Sequence, residues 1–369
     1  MSSADKSSDK PFLSVQTIVL AEIGWAVAAL LFFLLFSVPA QGEDRPFWYS
    51  LGTSIFEATA FLVASLLCFR NWRSPQIVSG RGVWLGIGLG LFFYFLGNLL
   101  FSYWELGLGL EAAVSPGDFF FILAYVFLLW GMFQAVFSRR LNLELWQKGV
   151  IVAIAVVGIA IAIALSSAKP AEQPTARLAF GDRAEVPGLK AIRGFPLEDS
   201  VLAFFSTTQT LDFPTFNLSA FSLPAFNLPV STATPLGEIL AQSTPAEQPK
   251  SQPPEWAINL EQQLKPLELP LSWFYLLSDV LLLVLATTLL LAFWGGRFSQ
   301  SWRMIAAAAF CLYIADVWFK YATTILTDYK SGGLPEVFWV FSGVLFGIGA
   351  ALEYDLSIRS RRGGSRRRA

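Results

Sequence analysis

No histidine occurs anywhere in the 369 residues. That absence removes the commonest general base at neutral pH, the commonest metal ligand and the usual axial haem ligand. Hydrolytic triads built on Ser-His or Cys-His pairs are excluded with it. Cysteine is scarce as well. Cys68 and Cys311 are the only two, both inside apolar runs, so neither a disulfide framework nor a CxxC pair is present. Charge is the third shortage: Asp, Glu, Lys and Arg make up 14% of the chain, where a soluble domain carries about a quarter. Rossmann and P-loop glycine patterns do not occur in a usable context. The three glycines of WLGIGLGLF (Gly86, Gly88 and Gly90) fall inside an apolar run, where small residues let helices approach closely.

What the chain has in excess is apolar surface. Hydrophobic residues make up 54% of it and mean hydropathy is +0.54. Such a chain would expose far too much apolar area in water, which implies a polytopic membrane protein. A spanning helix needs about 20 mostly apolar residues. Eight runs qualify: 12–38, 49–69, 83–104, 117–137, 149–167, 271–294, 303–325 and 335–354. The expected fold is therefore an all-α integral membrane protein with eight transmembrane helices. The first run is too long for the core of a signal peptide, and its polar leader MSSADKSSDK (1–11 with the residue that follows) is not basic.

Lysine and arginine orient the spans. With the N-terminus in the cytoplasm, Lys6, Lys10, Arg70, Arg73, Arg81, Arg139, Arg140, Lys148, Arg297 and Arg303 all fall inside. So do the arginines of the tail at 355–369, whereas the short outer loops hold only Arg45 and Lys330. Both termini are expected in the cytoplasm, in a bacterial inner or thylakoid membrane. Arg361, Arg362, Arg366, Arg367 and Arg368 would rest against anionic lipid headgroups. That reading takes precedence over a nucleic-acid tail.

Residues 168–270 differ from the rest. They hold 14 of the 20 prolines and carry a net charge of −4. Proline at that density excludes regular helix and central strand. The centre, FPTFNLSAFSLPAFNLPV, is too apolar for a free linker. Its flanks share the string PAEQP and have the composition of disordered linkers. The expectation is a partly disordered extracytoplasmic insertion between the first membrane block (12–167) and the last three spans (271–354).

The two halves resemble each other. WLGIGLGLFFYFLGNLLFSY from Trp84 aligns with WRMIAAAAFCLYIADVWFKY from Trp302, an offset of 218. At that register Asn98 meets Asp316, Ser102 meets Lys320, Asp118 meets Glu336 and Gly131 meets Gly349. Glu57 and Asp279 correspond less strictly, at an offset of 222. The reading is a tandem parallel 4+4 repeat, an arrangement that occurs in transporters and in bundles that merely duplicated.

Charged residues inside spans are costly and are default site candidates. Glu57, Asn98, Asp118, Asp279, Asp316, Lys320 and Glu336 form the candidate set for a ligand or partner, with Glu22, Glu105 and Glu353 also in or near spans. At 1.5 Å per residue most of them fall in the outer half. Asp316 and Lys320 stand four apart and are expected to pair on one helix face. Asp118 and Glu336 open their helices, where an acid satisfies free N–H groups and suits the dipole. Glu22, about ten residues into the first span, has no local partner; interhelical hydrogen bonding and a proton relay both remain open for it. Trp48, Trp72, Trp104, Trp146, Trp256, Trp273, Trp302 and Trp339 lie near span ends, the headgroup position for indoles. No catalytic, cofactor-binding or metal-ligating constellation is visible.

The fourth span reads SPGDFFFILAYVFLLWGM. It resembles multi-helix membrane domains that bacteria place ahead of GGDEF or EAL signalling modules. Those carry Ser, then Asp, with Tyr seven and Gly thirteen residues after the Asp, the spacing of Ser115, Asp118, Tyr125 and Gly131. LSDVLLLVLATTLLLAF and the helix containing Ala315-Asp316 also look like that family's later helices. The resemblance implies a sensor of membrane or extracytoplasmic signals. Here no GGDEF, EAL or kinase module follows the last span, and the Pro/Phe-rich insertion is a further departure. The expectation is a non-enzymatic sensory or scaffold protein acting through a membrane protein partner. A small-solute or ion transporter using the outer polar cluster is the alternative, and an intramembrane enzyme a distant third.

Overall fold

A computed structural model describes residues 14–38, 45–110, 114–137, 143–166, 253–292, 299–326 and 329–366, with side chains to Arg359. All belong to one unit, formed by Met1–Glu172 with Gln252–Ala369. Among the described residues the regular structure is helical and no strand occurs. The helices are α1 (Val15–Phe36), α2 (Phe47–Arg73), α3 (Arg81–Ser102), α4 (Asp118–Phe137), α5 (Leu145–Ser166), α6 (Glu255–Leu264), α7 (Glu268–Ala292), α8 (Ser299–Ile325) and α9 (Val337–Arg366). A single-turn π-helix at Tyr103–Gly107 prolongs α3, and 3-10 turns at Lys265–Leu267 and Leu334–Glu336 precede α7 and α9. Eight of these segments are long and apolar enough to cross a membrane, with α6 and α7 forming one of them.

Local chemistry sets the ends. Ser14 caps α1, its side chain accepting from the Thr17 N–H at 3.1 Å. Gly80, at φ +102°, makes the turn into α3 that a side chain would strain. Arg70 and Arg73 sit in the last turn of α2, the favourable end of its dipole.

Two boundaries and two tryptophans differ from the sequence reading. Helix begins at Glu255, inside the stretch assigned to the insertion (168–270). Pro253 and Pro254 lie before this helix, where proline costs no hydrogen bond, and Pro266 falls in the 3-10 turn. The rest of the insertion lies outside the described residues. At the far end α9 continues past 354 to Arg366, helped by an Asp355–Arg359 pair at 2.8 Å on one helix face. The side chains of Arg361, Arg362, Arg366, Arg367 and Arg368 are outside the described set. Trp104 and Trp302 are 2% and 1% exposed, buried in protein rather than anchored at headgroups. Trp48, Trp146 and Trp256 are exposed, as interfacial indoles would be.

Apolar surface gains little by leaving lipid for another helix, so contact has to come from close packing. Along the α3–α4 seam a Cβ on Gly86 would lie 2.6 Å from the Gly131 Cα, and one on Gly131 would lie 2.8 Å from the Ile87 nitrogen. At the α8–α9 seam a Cβ on Gly349 would meet the Ser301 carbonyl at 3.2 Å. Helix α2 packs on α3 and α9, while α7 packs on α4 and α8. Helices α1 and α5 lie at the periphery, on α9 and α7 respectively. Most of their surface stays open, which suits lipid.

The central core is continuous across both halves. Trp84 and Trp302 meet with ring centroids 6.5 Å apart, and Phe61 stacks on Tyr94 at 4.1 Å. Leu91, Leu128, Leu289, Ile305 and Phe346 fill the space around them, all 1% exposed or less. Cys68 and Cys311 are buried free thiols.

Gly131→Ala forces a methyl into backbone and is expected to cost about 1–3 kcal/mol. Gly24, whose Cβ would meet nothing within 4 Å, should tolerate alanine within about 0.5 kcal/mol. Thermal unfolding of the two purified variants in one detergent checks this; equal losses would contradict the seam.

Candidate functional site

Helices α2, α3, α4, α7 and α8 bring polar groups to the end of the bundle away from Val15 and Arg359, and a cavity opens at that end. It encloses about 1250 Å³ of space between atoms, its open mouth included. Glu57 of α2, Asn98 of α3 and Asp118 of α4 line it on one side. Asp279 of α7, Asp316 and Lys320 of α8, and Glu336 before α9 line it on the other. All seven candidates taken from the sequence thus converge on one space, although 279 residues separate the first from the last in the chain.

Tyr125, two turns into α4, carries the central link. Its hydroxyl contacts carboxylate oxygens of both Asp279 and Asp316, which ties α4 to α7 and α8. The indole Nε1 of Trp339 donates to the other oxygen of Asp316 at 2.6 Å. Asp316 is therefore held from two sides by aromatic donors. Asp279 is 1% exposed, and among the described residues no N–H or O–H group donates to its Oδ2. The two acids are also within hydrogen-bonding reach of each other. One phenol hydrogen serves one acceptor, so a second proton or an outside cation completes this triad.

The expected Asp316–Lys320 ion pair is not formed. Asp316 turns inward to Tyr125 and Trp339, whose short, directional donors occupy both its oxygens. Lys320 instead faces the mouth and makes no ion pair among the described residues; Glu268, on the same wall, is the acid whose field it feels.

The two helix-opening acids act as expected and do more. Asp118 accepts from the Ser115 backbone N–H at 2.7 Å, and the Tyr275 hydroxyl donates to its second oxygen at 2.6 Å. Glu336 accepts from the Gly332 N–H at 2.6 Å and from the Tyr329 hydroxyl. Burial, and then the charge of Glu336, push the Tyr329 phenol above its ordinary range, so it remains a donor. Arg45 clamps the rim: it donates to the Ser37 carbonyl at 3.1 Å and the Lys330 carbonyl at 2.6 Å. The Ser331 N–H donates to Glu105 at 2.9 Å, joining that rim to the end of α3.

Asn98 is 4% exposed and lies within hydrogen-bonding reach of Glu57, while its own Oδ1 has no donor. Glu22 stands apart from the cavity. It is buried against Gly347 of α9, and its Oε1 has no partner among the described residues. Among those residues no group of three or more acids and thiols is arranged to hold a metal ion.

Sequence reasoning named the acids and missed their donors. Tyr275 and Tyr329 were not singled out, Tyr125 entered only through the spacing motif, and Trp339, read as a headgroup indole, instead lines the cavity and donates to Asp316. The available signal was tyrosine itself. A phenol in the middle of an apolar span needs a partner, and the acids are the only strong acceptors at that depth. No family model matches the chain, and no curated protein or solved structure is similar to it.

Tyr125→Phe leaves two facing carboxyls without their shared donor and is expected to lower stability by about 1–3 kcal/mol. Adding Asp279→Asn supplies an amide donor to Asp316 and should recover part of the loss. Tyr313→Phe, which forfeits one 3.3 Å bond to the Gly158 carbonyl, should cost less. Thermal melts of the four proteins decide it; a Tyr125→Phe melt equal to wild type would contradict the link.

Proposed function

We propose that the protein is a non-enzymatic sensory membrane protein. It binds a small ligand in the acid-lined cavity at its outer end and passes occupancy to a partner in the bilayer. Both termini lie in the cytoplasm, in a bacterial inner or thylakoid membrane. The observation that carries this reading is the convergence of seven polar residues on one cavity above a dry, close-packed core. Polar groups at that depth are kept at a cost that lipid-facing structure does not need. The packed floor suits a site that is filled and emptied from one side.

The resemblance to membrane domains ahead of GGDEF and EAL modules supports the sensory part. Each residue of the shared spacing has a task in this chain. Ser115 and Asp118 form the cap of α4, Tyr125 links the acids, and Gly131 makes the α3–α4 seam. In this reading the partner is where the signal goes. The Pro/Phe-rich segment of the sequence is the proposed contact.

The tandem 4+4 reading is part of the same proposal: α1–α4 correspond to α5, α7, α8 and α9. Two facts support it. A Cβ on Gly131 would meet Val83 and Ile87, and one on Gly349 would meet Ser301 and Ile305, the same positions displaced by 218. Trp84 and Trp302, equivalent at that offset, touch each other, as residues on a twofold axis would. This duplication also favours the second reading, a small-solute or ion transporter, since paired repeats can rock about a central site. The continuous core beneath the cavity weighs against it.

Native mass measurement after gentle extraction, with and without deletion of 211–230, separates the two. A partner that co-purifies stoichiometrically, is lost on the deletion and is retained in Asp316→Asn supports the sensor. Solute uptake by vesicles containing the purified protein alone, abolished by Asp316→Asn, would overturn it.

A further inference from the structure

We propose that the cavity takes a small zwitterion of the amino-acid class, with its ammonium at Asp279, Asn98 and Glu57 and its carboxylate at Lys320. This rests on the reading of the cavity as a ligand site and names the ligand's chemistry.

The deep end of the cavity is short of hydrogen-bond donors. Among the described residues no N–H or O–H group donates to Asp279 Oδ2 or Asn98 Oδ1, and Asp279 instead faces a second acid, Asp316; both residues line the space. Buried acceptors in a native fold nearly always have a donor. The neighbouring donors are fewer than the acceptors: Tyr125 has one hydrogen for two aspartates, Trp339 serves Asp316, Tyr275 serves Asp118, and the Tyr94 hydroxyl adds one more. An ammonium brings three N–H groups on one atom together with the positive charge the site lacks. Asp279, Asp316 and Glu57 all lie within electrostatic reach of the Tyr94 ring, so negative charge is gathered at one depth. Tyr94, Tyr275 and Trp339 supply aromatic surface at the same level, which favours an organic cation. The described residues hold no cluster arranged for a metal ion.

Charge reverses toward the mouth. Lys320 lies one helical turn beyond Asp316, about 6 Å farther along the axis. Among the described residues its ammonium is not consumed by an ion pair, although Glu268 acts on it from the same wall. A site that is negative at its floor and positive one turn outward matches a molecule whose ammonium and carboxylate are a few bonds apart. A simple amine would leave Lys320 without a role, and a carboxylate alone would leave the floor unfilled.

The test uses the full chain in nanodiscs and follows its melting temperature with each common L-amino acid as probe. For each amino acid that binds, the decarboxylated amine and the N-acetyl derivative are then compared. The expected result is a saturable rise with at least one amino acid, and binding of its amine and its N-acetyl derivative weaker by about tenfold or more. Lys320→Met should reduce amino-acid affinity to that of the amine without changing amine affinity. Asp279→Asn should weaken both; if that variant does not fold, the Lys320→Met comparison decides alone. An amine that binds as tightly as its amino acid, unaffected by Lys320→Met, would overturn the zwitterion while leaving a cationic ligand site. No response to amino acid, amine or N-acetyl derivative would overturn both the zwitterion and the ligand-sensing reading.

Discussion

A carboxyl group inside a bilayer must be given donors by its own protein, because lipid offers none and an unpaired charge is costly there. The half of this bundle away from Val15 and Arg359 is organised around that constraint. Four acids at the cavity are held by tyrosine or tryptophan: Asp118 by Tyr275, Asp279 by Tyr125, Asp316 by Tyr125 and Trp339, and Glu336 by Tyr329. Most of these links cross between helices. The polar network therefore fixes how α4, α7, α8 and α9 meet at this end, as well as what the cavity presents.

The other half is held by a different means. Glycines bring the α3 and α4 backbones to a separation that no side chain would allow, and the large rings of Trp84, Trp302, Phe61 and Tyr94 fill the interior beside them. Close packing supplies dispersion contacts that lipid chains could not match at such distances. The division has a functional consequence. A close-packed floor leaves the cavity open at one end, and in the proposed sensor the hydrogen-bonded half is the part that responds to a ligand. The Tyr125 hydroxyl joins α4 to α7 and α8 through Asp279 and Asp316, so in the proposed sensor a donor gained or lost at Asp279 would act on a link shared by three helices.

Much of this was legible in the sequence, for physical reasons. Apolar runs of spanning length, separated by basic loops, predict eight helices with little ambiguity, because length and hydropathy are the bilayer's own requirements. Intramembrane acids are so costly that their positions alone located the cavity. What could not be read was pairing. Asp316 and Lys320, four apart, invited an ion pair, yet tertiary donors from α4 and α9 won over the local contact. Trp302 sits at a span end and still faces Trp84 rather than headgroups. Span position predicts depth and says nothing about which way a helix face turns. The helix at Glu255–Leu264 escaped notice because proline density was averaged over a long stretch, whereas its own residues after Pro254 carry no helix breaker.

The central claim is a polar cavity open to one side of the membrane and sealed beneath. Single cysteines report it directly, since Cys68 and Cys311 are buried. Thr53→Cys, Ser272→Cys and Thr323→Cys place a thiol on the cavity wall; Ala286→Cys and Ala308→Cys place one in the core below. A membrane-impermeant maleimide added from the extracytoplasmic side should label the first three and leave the last two unmodified, and added from the cytoplasmic side should label none. Labelling of Ala308→Cys from the cytoplasmic side, or failure of Thr53→Cys to react from outside, would contradict the account.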